Sequence, residues 1–165
     1  MHFQRLLLSI HLSRILQNLF KFMYPIINKM DLTNSFPRSP YDMNAGMVML
    51  PRTTDKAIAS NEGTLGEYHY NCPMDQKLFD FLGTDEKVFA DMVKEFNGDD
   101  KEIAEWIETE FQKTQEEKEE FNNKMRHDVP EDEESKKWLE EQKKSLGKED
   151  SFTFFDNIDA DEKRF

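Results

Sequence analysis

The stretch GTLGEYHYNCPMD, Gly63 to Asp75, places Glu67, His69, Cys72 and Asp75 among two tyrosines and an amide. Carboxylate, imidazole and thiolate are the groups that bind zinc, so these four side chains are metal candidates, though weak ones. Structural zinc sites draw on spaced pairs of Cys and His, and beyond residue 30 the only other histidine is His127, so no metal is expected. A second chemistry is nucleophilic, with Cys72 as nucleophile and His69 as its base, the two candidate catalytic residues. The thiol would sit just before Pro73, a residue able to open a helix whose N-terminus favours a thiolate. A free cysteine, however, more often fills buried space. The favoured reading is a structural loop in which Tyr68 and Tyr70 pack while Glu67, His69 and Asn71 satisfy backbone groups that have no helical partner.

Arg38, Arg52 and Lys56 are the main cations between Met30 and Asn61. If the FPRSP arm folds over the LPRTTDK segment, two guanidiniums converge near Glu67 or His69. An Arg to Glu67 ion pair is the simpler expectation, because a partly buried carboxylate needs a cationic partner. The functional version is a pocket of Arg38, Arg52, Lys56 and Glu67 that binds a carboxylate or phosphate. Asp156, Asp159, Asp161 and Glu162 are calcium-type ligands without the glycine of an EF-hand loop, and are expected to form a solvated terminus. There is no G-x-x-x-x-G-K-[ST], G-x-G-x-x-G, H-E-x-x-H, G-x-S-x-G or C-x-x-C, which excludes the commonest nucleotide, zinc-protease and serine-hydrolase designs but not an unusual enzyme.

The elements that must position these groups are helical. Pro37 and Pro40 make FPRSP an extended arm. A short helix is expected from about Pro51 to Asn61, stopped by Gly63, and PMDQKLFDFLG should give one or two turns ended by Gly83. TDEKVFADMVKEFNG is the clearest helix, with Thr84 as its cap, Gly98 as its stop and Val88, Phe89, Met92, Val93 and Phe96 as one buried stripe. A further helix opens at DDKEIAEWIETEF and is expected to run on through QKTQEEKEE to Phe121 and Met125 as one long solvent-crossing helix. HDVPEDEESKKWLEEQKKSLGK repeats the grammar, with Asp128 as cap, Pro130 in the first turn, and Trp138, Leu139 and Leu146 as a thin apolar face. The apolar residues of SFTFFDNIDADEKRF should dock back on the body. At most a short extended element is expected, at Glu67 to Asn71. The fold class is all-α: a small helical bundle with an extended N-terminal arm and a docked C-terminal tail.

Composition bounds the function. The chain has 165 residues, 37% apolar and 34% charged, with 14 Phe and 9 Met to compensate for an economical core. Residues 1–30 hold four cations and no acid, so the rest carries −16 of a net charge of −12. An acidic body without a basic stripe excludes binding to a phosphate backbone, and no nucleic acid is expected as partner. No apolar run reaches the length of a spanning helix, so the main domain is not expected in a membrane. One cysteine and no N-x-S/T site point to the cytoplasm. The basic amphipathic segment 1–29 is read as an extension, disordered or translated from upstream sequence, ahead of a single helical domain over 30–165; a membrane-surface helix is the competing reading.

The order DLT, PRSP, LPR..DKA, GTLGEYHYNCPMDQ and FFDNIDADEKR resembles the bacterial family called domain of unknown function 5069, from about Asp31 to Lys163. The resemblance begins near Met30, in keeping with an upstream origin for residues 1–29, and implies no particular activity, substrate, cofactor or catalytic residue. The function expected is binding, of a partner protein or a small anionic metabolite. An enzyme, redox or metal protein using the Cys72/His69 loop is the alternative.

Overall fold

The computed structural model describes residues 29–148, 150 and 152–164. The expectations for residues 1–28 lie outside that range. Leu32 enters the body through its N–H, which donates to the Thr64 carbonyl at 2.9 Å. Phe36 to Ser39 then run without regular secondary structure, the extended arm that its prolines require. Strands β1 (Met43–Asn44) and β2 (Met47–Val48) form a two-stranded antiparallel hairpin with Met43 opposite Val48. Its turn residues Ala45 and Gly46 both have positive φ, 48° and 74°, the twist that closes a two-residue hairpin. This hairpin, at 43–48, replaces the extended element expected at 67–71, where the chain makes turns instead.

Helix α1 (Leu50–Glu62) is the centre of the molecule, and every residue from Leu50 to Ala59 is buried, charges included. Gly63 stops it as expected, its N–H returning to the Ala59 and Ser60 carbonyls. Helix α2 (Pro73–Leu82) ends at Gly83, and α3 (Glu86–Glu95) packs along α1. The cap of α3 is Asp85 rather than Thr84: its Oδ1 accepts from the Val88 N–H at 2.8 Å. The buried stripe is narrower than the periodicity suggests, since Phe89 and Val93 face inward while Val88, about 100° away on the helix, is 46% exposed.

The expected long helix is two helices, α4 (Asp100–Glu110) and α5 (Gln115–Arg126). The break has a local cause. Thr114 and Glu117 form a capping box, with Thr114 Oγ1 accepting from the Glu117 N–H at 3.2 Å and Glu117 Oε2 from the Thr114 N–H at 2.8 Å. The Thr114 backbone N–H also holds the Glu117 carboxyl below its ordinary pKa. Gln112, at φ 45°, turns the chain between the two helices.

Helix α6 (Glu133–Ser145) is capped by Asp132, which accepts from the Ser135 N–H at 2.8 Å, and not by Asp128. Asp128 receives Lys77 Nζ, and its carbonyl accepts from the Phe154 N–H at 3.1 Å. Of the thin apolar face, Leu139 is buried, whereas Trp138 and Leu146 are exposed. Helix α7 (Phe154–Asp161) packs on α5 and α6. It brings Phe155 fully into the core, edge-on to Tyr41 at 5.1 Å between ring centroids. Seven helices and one small hairpin among the described residues make the chain mainly α, with the expected arm and docked tail. No described helix is long and apolar enough to cross a membrane.

Candidate functional site

Buried charge on α1 organises the site. Arg52 and Lys56 stand one turn apart on the same face, and both line a cleft of about 220 Å³. Glu67, Tyr68, His69 and Cys72 of the opening loop form its other side, with Met49, Met74 and Ile158 as apolar wall. The loop is held against the arm at Gly66, whose φ is 62° and where an added Cβ would stand 2.8 Å from the Leu32 carbonyl oxygen.

Behind the Arg52 wall lies an ion network made with the C-terminal helix. The Arg52 guanidinium grips Glu162 with two parallel bonds, Nη2 to Oε1 at 2.7 Å and Nη1 to Oε2 at 3.0 Å, and Nη1 also donates to the Arg38 carbonyl at 3.0 Å. Tyr68 Oη donates to Glu162 Oε1 at 2.8 Å, and its ring centroid lies 5.6 Å from the guanidinium carbon. Burial, and then the Glu162 carboxylate, push the Tyr68 phenol well above its ordinary pKa. Arg164 pairs with Glu162 Oε2 at 2.8 Å and with Asp159 Oδ1 at 3.0 Å, and Ser39 Oγ donates to Asp159 Oδ2 at 2.7 Å. Asp159 and Glu162 are thus buried, not solvated as expected: Arg52 and Arg164 supply the countercharge that lets them leave water. Asp156 is partly buried as well, accepting from Tyr41 Oη at 2.8 Å, while Asp161 remains exposed.

The Lys56 wall has its own network. Nζ donates to Asp75 Oδ2 at 2.6 Å and lies 3.4 Å from both Cys72 Sγ and the His69 carbonyl oxygen. Asp75 also accepts from Thr53 Oγ1 at 2.9 Å and from the Cys72 N–H at 3.1 Å. Its carboxylate, fully buried, serves a lysine, a hydroxyl and a backbone amide.

Five of the residues singled out in the sequence, Arg52, Lys56, Glu67, His69 and Cys72, therefore meet at one cleft. Arg38 does not join them. Its guanidinium lies in a separate cavity beside Asp55 and Asp100, at 2.7 Å and 2.6 Å. Burial works against its charge, but the Asp55 and Asp100 carboxylates outweigh it and raise the pKa above the ordinary value. The expected Arg to Glu67 ion pair does not form, because each arginine has a closer carboxylate. Glu67 and His69 keep exposed side chains at the rim with no hydrogen bond or ion pair to the described residues. The sulfur of Cys72 has Lys56, not the His69 ring, as its polar neighbour. No group of three or more His, Cys, Asp or Glu among the described residues is placed to hold a metal ion.

Tyr68, Thr53 and Glu162 were not singled out as site residues. For Glu162 a signal exists: Phe155, Ile158, Asp159 and Glu162 fall at i, i+3, i+4 and i+7, so the two acids share the apolar face of a helix. No curated protein matches the chain. Residues 34–164 match the family described as "Domain of unknown function (DUF5069)", and the chain belongs to that family.

Proposed function

We propose that this protein is a binding module of the reducing cytoplasm, and that its ligand is a small anionic molecule seated in the Arg52–Lys56 cleft. One observation carries the reading: in an acidic chain, the cleft wall shows two cations, while their carboxylate partners Glu162 and Asp75 do not line it. Arg52 and Lys56 line the cleft, with the acids that pair with them behind, outside the lining. Glu67 is the one acid in the lining, at the rim. His69 beside it supplies an uncommitted ring to orient a carboxylate or phosphate. A nucleophilic role for Cys72 with His69 as base gains no support, since no hydrogen bond joins the two side chains.

The test uses Glu67, because it is exposed and without an internal partner. A panel of carboxylated and phosphorylated metabolites is screened by thermal shift on the parent and on Glu67→Lys. An anion at a hundred times its Kd should stabilise the fold by about 2.7 kcal/mol, which is several degrees in Tm. Reversing one charge about 7 Å from the ligand in a water-exposed cleft is worth roughly 1.2 kcal/mol, so Glu67→Lys should tighten binding roughly sevenfold at low salt. Absence of a shift with every anion, or equal affinity in the two proteins, overturns the anionic ligand.

A further inference from the structure

We propose that Cys72 and Lys56 form a paired modification site, in which hydrogen peroxide joins thiol and amine as a covalent sulfenamide. The pairing stands on the geometry of the cleft wall and does not depend on which ligand the cleft takes. Lys56 Nζ lies 3.4 Å from Cys72 Sγ, and the partly exposed cysteine lines the cleft, so a small neutral oxidant has access to it. Both residues are tethered to one carboxylate. The lysine side chain is only 3% exposed and bound to the fully buried Asp75 at 2.6 Å, while the Cys72 N–H donates to the same carboxylate oxygen at 3.1 Å. One carboxylate thus holds the amine and the cysteine backbone, with the sulfur 3.4 Å from the amine, the arrangement in which a bimolecular step becomes effectively intramolecular.

The chemistry closes on these atoms. The thiol attacks the peroxide, the O–O bond breaks, an S–O bond forms, and the sulfur is oxidised to a sulfenic acid as the peroxide is reduced to water. A sulfenic acid condenses with a neighbouring thiol or nitrogen, and the chain has no second cysteine. Lys56 passes the extra proton of its ammonium to Asp75. The freed amine attacks sulfur, the S–N bond forms, and the S–O bond breaks to release water. One peroxide is consumed and two waters leave. A thiol reductant reverses the link by breaking the S–N bond.

The full chain, treated with hydrogen peroxide in slight excess and digested with trypsin, should yield the single peptide 53–77, uncleaved after Lys56 and bridged internally between residues 56 and 72. That peptide should be lighter by two hydrogens than its unbridged form, and dithiothreitol followed by fresh trypsin should split it after Lys56. Cleavage after Lys56 should be lost in parallel, and Cys72→Ser should give no product. Lys56→Arg, which keeps a cation beside Asp75, should divert the thiol to a sulfenic acid that dimedone traps. The wild-type readout decides alone if that variant does not fold. A wild-type Cys72 that is trapped by dimedone, proceeds to sulfinic acid with Lys56 unlinked, or resists peroxide overturns the proposal.

Discussion

Replacing Glu162 by glutamine preserves the shape of the side chain and removes its charge, in the place where four donor contacts converge on it. Glutamine offers one carbonyl oxygen and one NH2, so one of the two former acceptors becomes a donor aimed at guanidinium or phenol donors. The Arg52 and Glu162 side chains are 6% and 3% exposed, so water cannot take over the lost role. Breaking one partner of a buried pair costs about 3–5 kcal/mol. Arg164 keeps Asp159 at 3.0 Å, which places the expected loss toward the lower end of that range. Against a total stability of about 5–15 kcal/mol the loss is large, and for a chain of this size it corresponds to roughly 6–15 °C in Tm. Urea denaturation followed by circular dichroism measures it. A cycle with Arg52→Met isolates the pair itself and should give a coupling above about 1.5 kcal/mol. A Glu162→Gln protein within about 1 kcal/mol of the parent, the range of a solvated ion pair, would refute the placement of the C-terminal helix against α1.

Gly66→Ala should destabilise by more than about 1–3 kcal/mol, because the left-handed backbone strains any side chain and the new Cβ also meets the Leu32 carbonyl; chemical denaturation checks it, and a neutral result would mean the loop does not rest on the arm. The tyrosines set an alkaline limit. Burial first, and then Glu162 for Tyr68 and Asp75 for Tyr70, raise both phenols above the ordinary value of 10.0. The folded state therefore holds these protons more tightly, so their contribution is complete below about pH 10 and is lost as pH rises through the folded values. Spectrophotometric titration should find tyrosinate forming later in native protein than in urea, with stability falling over the same range; coincident curves would contradict the burial of both rings.

The helices were largely legible because their ends are written locally. Gly63 and Gly83 stop α1 and α2 where the sequence places the stops, and Phe89 and Val93 keep helical spacing. Misreadings arose where two local signals compete. Thr114 with Glu117 reads equally as the interior of a charged helix or as a capping box, and the box wins because it satisfies two backbone N–H groups that a helix restart exposes. The burial of α1 had no local signal at all. The sequence places Arg52 and Lys56 near Glu67 or His69, and only Glu162, Arg38 and Asp75, each from another segment, make the burial of Arg52, Asp55 and Lys56 tolerable. The cleft was half legible for the same reason. The loop and the two cations could be named from the sequence, but the partners that fix their direction lie up to 110 residues away.

That separation sets an order of events during synthesis. Lys56 waits 19 residues for Asp75, whereas Arg52 waits 110 for Glu162. At about 5–20 residues per second, the second interval lasts roughly 5–20 s. Throughout it the nascent chain carries a cation that cannot enter the core without its partner. Helix α1, although among the first elements made, is therefore among the last to be buried, and the cleft it lines comes into being only when the C-terminal helix arrives.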